Sequence, residues 1–167
     1  MTWQRPGRWW RHAITDRADV KRAFPERALD RIEQAIGAAE AKHAGQIVFA
    51  IEPALPFPRV AAKLAPRDRA LEVFGLLRVW DTEHNNGVLI YLLLADRDVE
   101  IVADRGIHAR VGAAMWQHVC ETMEAAFRDG RYEEGALSGI EAVSALLAKA
   151  FPRSSGSGEL PNRPVLI

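Results

Sequence analysis

Val88-Leu89-Ile90-Tyr91-Leu92-Leu93-Leu94-Ala95 is the most apolar run in the chain, and it follows directly on Trp80-Asp81-Thr82-Glu83-His84-Asn85-Asn86-Gly87, a stretch dense in oxygen and nitrogen ligands. An unbroken apolar strand needs cover on both faces, because a strand with one wet face alternates apolar and polar residues. The run therefore reads as the central strand of a covered sheet. Upstream, Ile47-Val48-Phe49-Ala50-Ile51 is a second short run of strand formers, ended by Glu52-Pro53. Between the two, Leu64, Leu71, Phe74 and Leu77 recur at helical spacing, with Pro66 splitting the segment in two. A helical connection between two strands implies a parallel pair joined by a right-handed crossover. Downstream, Asp96-Arg97 makes a tight turn into Val99-Glu100-Ile101-Val102-Ala103-Asp104, whose alternation predicts a more exposed, antiparallel strand.

Further out, Asp16 and Asp19 cap a short helix that Pro25 interrupts, and Leu29, Ile32, Ile36 and Ala39 then recur at three- and four-residue steps until Gly45. Two more helices are expected from Ala113 to Phe127, stopped by Asp129-Gly130, and from Tyr132 to Ala150. The expected fold is α/β: a three-layer α/β/α sandwich with a small mixed sheet, a parallel pair plus an antiparallel hairpin strand. Residues 1–15 form a Trp/Arg-rich arm, 16–150 the domain, and 151–167, with Ser154-Ser155-Gly156-Ser157-Gly158, Pro161 and Pro164, a flexible tail.

With 167 residues, 49% hydrophobic and 26% charged, the chain suits one domain with a substantial core. Twenty-two basic residues balance twenty-two acidic ones, so no global field draws nucleic acid, and none is expected as a partner. The single cysteine, Cys120, excludes an internal disulfide and a thiolate metal cage, and its place between Trp116 and Met123 predicts a small buried hydrophobe. Met1 to Ala13 lacks an apolar signal core, and no run approaches the roughly eighteen apolar residues of a membrane span; a cytoplasmic protein is expected. Trp3, Trp9 and Trp10, interleaved with Arg5, Arg8 and Arg11, are expected to fold onto the body, the alternative being a lipid surface or a protein partner.

The strand directions sort the polar residues into two groups. Glu52, Asp96 and Asp98 gather at the carboxyl ends of the parallel strands, where open α/β sheets bind ligands, although Asp96-Arg97 is also ordinary turn material. Asp81, Asn85, Asn86 and Asp104 gather at the other end and offer hard oxygen donors suited to calcium, with magnesium as the alternative. Asn85-Asn86-Gly87 reads equally well as a hydrogen-bonded turn. His84 alone is a poor zinc ligand, and His12, His43, His108 and His118 lack ligand spacing and are expected on the surface or at caps. Among the common catalytic and nucleotide motifs, none is found.

Taken in order, Asn85-Asn86-Gly87 before an apolar strand, the Asp96-Arg97 turn, Val99-Glu100-Ile101-Val102, Gly106-Ile107 and Phe127-Arg128-Asp129-Gly130-Arg131-Tyr132 before a last helix resemble the TPM domain family of bacteria and plant chloroplasts. The resemblance spans about Asp16 to Ala150 and implies the sandwich fold. It also implies calcium binding, reported for some relatives, and acid phosphatase activity, described for a plant relative linked to photosystem repair. Many bacterial members are secreted or tethered; this chain resembles an untethered, cytoplasmic kind. It departs from the family pattern at Asp81-Thr82-Glu83-His84, where many members are glycine-rich, and at Asp104-Arg105-Gly106, where they have Gly-Tyr-Gly. Those changes place two carboxylates beside the asparagines and remove an aromatic. The expected function is a binding or regulatory module for a divalent cation, calcium first. The alternatives are a metal-assisted phosphatase and an assembly factor that docks on a protein or membrane through its tryptophans.

Overall fold

The computed structural model of the protein describes residues 7–152 and 158–167. Chain order runs α1 (Arg8–Ile14), α2 (Arg17–Ala23), α3 (Glu26–Glu40), β1 (Gln46–Glu52), α4 (Phe57–Ala61), α5 (Pro66–Leu76), β2 (Gly87–Leu93), β3 (Asp98–Ala103), α6 (Arg105–Val111), α7 (Ala113–Arg128), α8 (Tyr132–Ala150) and β4 (Val165–Leu166). Several boundaries have local causes. Asp16 accepts from the Ala18 and Asp19 amides while Asp19 accepts from the Asp16 amide, a reciprocal cap that starts α2. Pro66 splits the crossover as expected because it opens α5, where its missing N–H costs nothing.

The sheet order is β3-β2-β1-β4. β2 is parallel to β1, with Ile47 opposite Val88, and antiparallel to β3, with Ile90 opposite Ile101. Every residue of β2 is buried, as a central strand covered on both faces requires. Phe49, Ile51, Val88, Ile90 and Leu92 face α3, α7 and α8, where Ile32, Ile36, Val119, Met123, Ile140 and Val143 complete one core layer. Val48, Ala50, Leu89, Tyr91 and Leu93 face the other way, toward Val60 of α4 and Ala70 and Val73 of α5. Phe24 meets Phe49, Phe127 and Tyr132 edge-on or tilted, pinning α2 to the first layer.

Four expectations are corrected. The residues before Asp16 include a helix, α1, whose Trp9 and Trp10 point outward instead of folding onto the body; Trp3 lies outside the described residues. The end of the chain is not free along 158–167. β4 pairs in parallel with β1, Ile167 donates to the Ile51 carbonyl at 3.0 Å, and Arg163 pairs with Glu26, Asp30 and Glu33 of α3. Its proline and serine content hid a strand of two residues, too short for any periodicity. His12 and His43 are buried, because each lies at a seam between elements rather than on an outward face. Cys120 is half-buried, at the rim of the core.

β3 is an edge strand whose outward backbone groups are answered by side chains. Glu124 accepts from the Val99 amide at 3.1 Å and Arg67 donates to the Ile101 carbonyl at 2.6 Å. The Cys120 sulfur faces the Ile101 amide.

Candidate functional site

At the strand entrance, Asn85 adopts the left-handed backbone (φ +49°) that the turn reading anticipated. The Asn86 amide donates to Thr82 Oγ1 at 3.0 Å, its side-chain amide donates to the Ala44 carbonyl, and its own carbonyl accepts from the Gln46 amide at 2.9 Å. Gly87 donates to Asp104 Oδ2 at 3.0 Å, and a Cβ at Gly87 would collide with the Val79 carbonyl. Asn86, Gly87 and Asp104 thus fasten the starts of β1 and β2 to the end of β3. Asp81 does not join them: it is exposed and paired with Arg78, and Glu83, His84 and Asn85 are exposed too. Two features of this joint lack a structural explanation. Asn86 Oδ1 is buried with no hydrogen-bond partner among the described residues. Burial also raises the Asp104 carboxyl above its ordinary range, against the Gly87 amide that lowers it. Among the described residues no three His, Cys, Asp or Glu side chains are placed to hold a metal ion.

At the opposite end the three expected carboxylates have separate partners. Glu52 is buried and receives both Nε and NH2 of Arg69 at 2.9 Å, plus the Tyr91 hydroxyl at 2.6 Å. Burial and Glu52 push the Tyr91 phenol upward, and the Glu52 hydrogen bond raises Arg69, so the guanidinium stays ionised beside a neutral phenol. Asp96 receives Arg8 Nε and Arg11 NH2 at 2.8 Å each, with His12 Nε2 3.1 Å away. Burial would raise its carboxyl, but the three α1 contacts outweigh that and hold it low. His12 Nδ1 accepts from the Leu55 amide at 2.8 Å, which leaves Nε2 as the protonated nitrogen facing Asp96. Asp98 is the exception. Burial and the nearby Glu124, Glu100 and Asp96 push it up to about 7, and its Oδ1 has no partner among the described residues.

Beside the paired Glu52 and Asp96, guanidinium groups outnumber carboxylates in the adjoining cleft. A cleft of about 770 Å³ opens between α2, the turn joining β2 to β3, and the turn joining α7 to α8. Arg11, Arg22, Arg97 and Arg128 line it, with Asp19, Asp96 and the Tyr132 ring. Arg22 is engaged by Asp19, Arg11 by Asp96, and Arg128 by Glu124 at 3.5 Å. Arg97, in a left-handed turn (φ +52°), reaches only the Arg128 carbonyl, at 3.4 Å, among the described residues. Planar guanidinium groups around a cleft suit a phosphate or carboxylate group. Leu94, Ala23 and Ile14 supply an apolar wall.

The family model of the TPM domain matches residues 16–146. The chain belongs to the TPM domain family. The NMR structure of the BA42 protein from the psychrophilic bacterium Bizionia argentinensis is similar at 30% identity, covering 84% of this chain and 92% of that one, with a TM-score of 0.73. The solution NMR structure of the N-terminal domain of a protein from P. gingivalis shares the fold at 20% identity, with coverage of 80% and 83% and a TM-score of 0.61. No curated protein matches. In this TPM domain, the Asp96-Arg97 turn and the Arg128-to-Tyr132 segment, 30 residues apart, border the same cleft. Sequence reasoning placed the first of these at the carboxyl ends of the strands and named Arg128 only as part of the family pattern before the last helix; it missed Arg22, a surface arginine with no spacing to mark it. It also missed Arg69, one of two arginines in α5. Arg8, Arg11 and His12 did carry a signal, since their separations of three and four place them on one helical face.

Proposed function

We propose that this TPM domain is a binding module for a small anionic ligand, bearing phosphate or carboxylate, held in the arginine-lined cleft. The observation that carries the reading is Arg97, whose guanidinium has no carboxylate partner among the described residues although it lines a cleft of ligand size. The position, outside the carboxyl ends of two parallel strands, is where open α/β sheets take ligands. Inorganic phosphate is the first probe, read by calorimetry and by thermal shift. Saturable binding that is lost in Arg97→Ala and retained in Arg78→Ala is the expected result. Equal binding in both variants would refute the assignment. The cleft lining pairs no nucleophile with a histidine base, so ligand capture without turnover is the reading preferred to a phosphatase. Hydrolysis of an aryl phosphate at about one per second or faster, abolished by Arg97→Ala, would replace the module with an enzyme.

A second reading concerns a divalent cation, calcium before magnesium, at the strand entrance. It is favoured by Asn86 Oδ1, a buried hard oxygen without a donor, next to the joint that holds the Asp104 carboxylate. Asp81, turned to Arg78, is not part of the set. Calcium titration is expected to show binding that Asp104→Asn abolishes and Asp81→Asn leaves unchanged; the reverse pattern would remove Asn86 and Asp104 from the site.

A further inference from the structure

The outer face of α1 is apolar and its inner face is charged, the reverse of an ordinary surface helix. Arg8, Arg11 and His12 turn inward and converge on Asp96. Trp9, Trp10 and Ile14 turn outward and are 57%, 48% and 56% exposed, and Phe57 on the neighbouring α4 is 71% exposed. The two indole rings meet edge-on, 5.7 Å between centroids. Helix α1 is short, so its orientation is set by the buried Asp96 anchor and not by its own hydrophobic pattern.

The charge around this face identifies what it fits. From Arg8 to Arg22 the chain has five basic residues, Arg8, Arg11, Arg17, Lys21 and Arg22, against Asp16 and Asp19, although the whole chain is neutral. Arg17 and Lys21 are exposed and have no ion-pair partner among the described residues. Indoles favour the headgroup level of a bilayer, and lysine and arginine favour an anionic lipid plane. We infer that α1 with the start of α2 is a peripheral docking element for an anionic lipid surface, with Trp9, Trp10 and Ile14 entering the interface and Arg17 and Lys21 meeting the headgroups. Among the described residues no helix is long and apolar enough to cross a membrane, so the contact is superficial. Because Asp96 already fixes α1, little ordering remains to be done on contact. The inference does not require the arginine-lined cleft to be filled, and Ile14 stands where the two surfaces meet.

The test is flotation of the full chain with vesicles of phosphatidylcholine alone and of phosphatidylcholine mixed with phosphatidylglycerol. Binding is expected to the mixed vesicles only, weakening as salt is raised. Trp9→Ser with Trp10→Ser, and separately Arg17→Glu with Lys21→Glu, should each lower partitioning roughly tenfold or more. All four positions are exposed, so unchanged thermal unfolding is expected to verify folding. No binding by the folded native chain, or equal binding by the tryptophan variant, would overturn the inference. So would a concentration-dependent dimer that the tryptophan variant abolishes, since a second copy would then cover the face. Arg97→Ala should float like the native chain; loss of binding there would mean headgroup capture in the cleft and would also overturn it.

Discussion

Replacing Asp98 by asparagine should stabilise the protein at neutral and alkaline pH and leave it nearly unchanged near pH 4. The carboxyl titrates at about 7 rather than at the ordinary 3.8, first because it is buried and then because Glu124, Glu100 and Asp96 repel its charge. A group whose folded value is raised contributes stability at low pH, and that contribution is lost as pH climbs through the folded value. The native state therefore holds an extra proton between about pH 4 and pH 7, and above pH 7 it carries a charge that the unfolded chain solvates better. The difference between the two values corresponds to a ceiling of about 4 kcal/mol. The group is only partly buried, so screening reduces this to about 1–2 kcal/mol. In a domain of this length that is a gain of about 2–8 °C in Tm at pH 8.5. Thermal unfolding of native and Asp98→Asn protein, followed by circular dichroism from about pH 4 to pH 9, measures it. The two Tm curves should separate progressively between about pH 4 and pH 7 and run parallel above that. A constant offset at every pH would refute the reasoning, because the gain would then come from hydrogen bonding or packing and not from a charge.

Arg69→Met strands the Glu52 carboxylate in the core and should cost about 3–5 kcal/mol, whereas Tyr91→Phe leaves the bidentate pair intact and should cost about 1 kcal/mol, both read by denaturant unfolding. Gly139→Ala drives a methyl into Met123 between α7 and α8 and should cost about 1–3 kcal/mol, while Gly106→Ala, which meets open space, should change stability by less than about 1 kcal/mol in the same assay. Burial pushes His43 below its ordinary 6.5, so the unfolded chain takes up a proton first, and stability should fall as pH drops below about 6.5; His43→Phe should flatten that part of the pH profile.

The elements built on long periodic patterns were legible in the sequence. The apolar run at Val88, the spacing Ile32-Ile36-Ala39 and the series Ile140-Val143-Leu147 each announce their burial, and strand two stands in the centre of the sheet as its composition requires. What escaped depends on partners distant in sequence. α1 holds its place through Asp96, about eighty residues away, and β4 through two pairings with β1; neither has an internal pattern strong enough to be noticed. The strand directions put Glu52, Asp96 and Asp98 at one end of the sheet and Asn86 and Asp104 at the other, but they do not tell the chemistry there. A sequence shows which carboxylates share an end but not which arginines reach them. Glu52 and Asp96, listed by position with Asp98, are neutralised by Arg69, Arg8 and Arg11, and the end that seemed acidic is lined with guanidinium groups.

The side chains along β3 have a consequence for how this protein meets others. A sheet with a bare margin invites a further strand, from a partner or from another copy of itself. Here Glu124 and Arg67 occupy the hydrogen-bonding groups of Val99 and Ile101 on one margin, and β4 lies along the other beside Ala50 and Ile51. Recruitment by backbone pairing is thereby discouraged along β3, and at the other margin β4 presents an edge only two residues long. Recognition is left to side chains on the helices and turns, and Glu124→Ala with Arg67→Ala would reopen one margin to uncontrolled self-assembly.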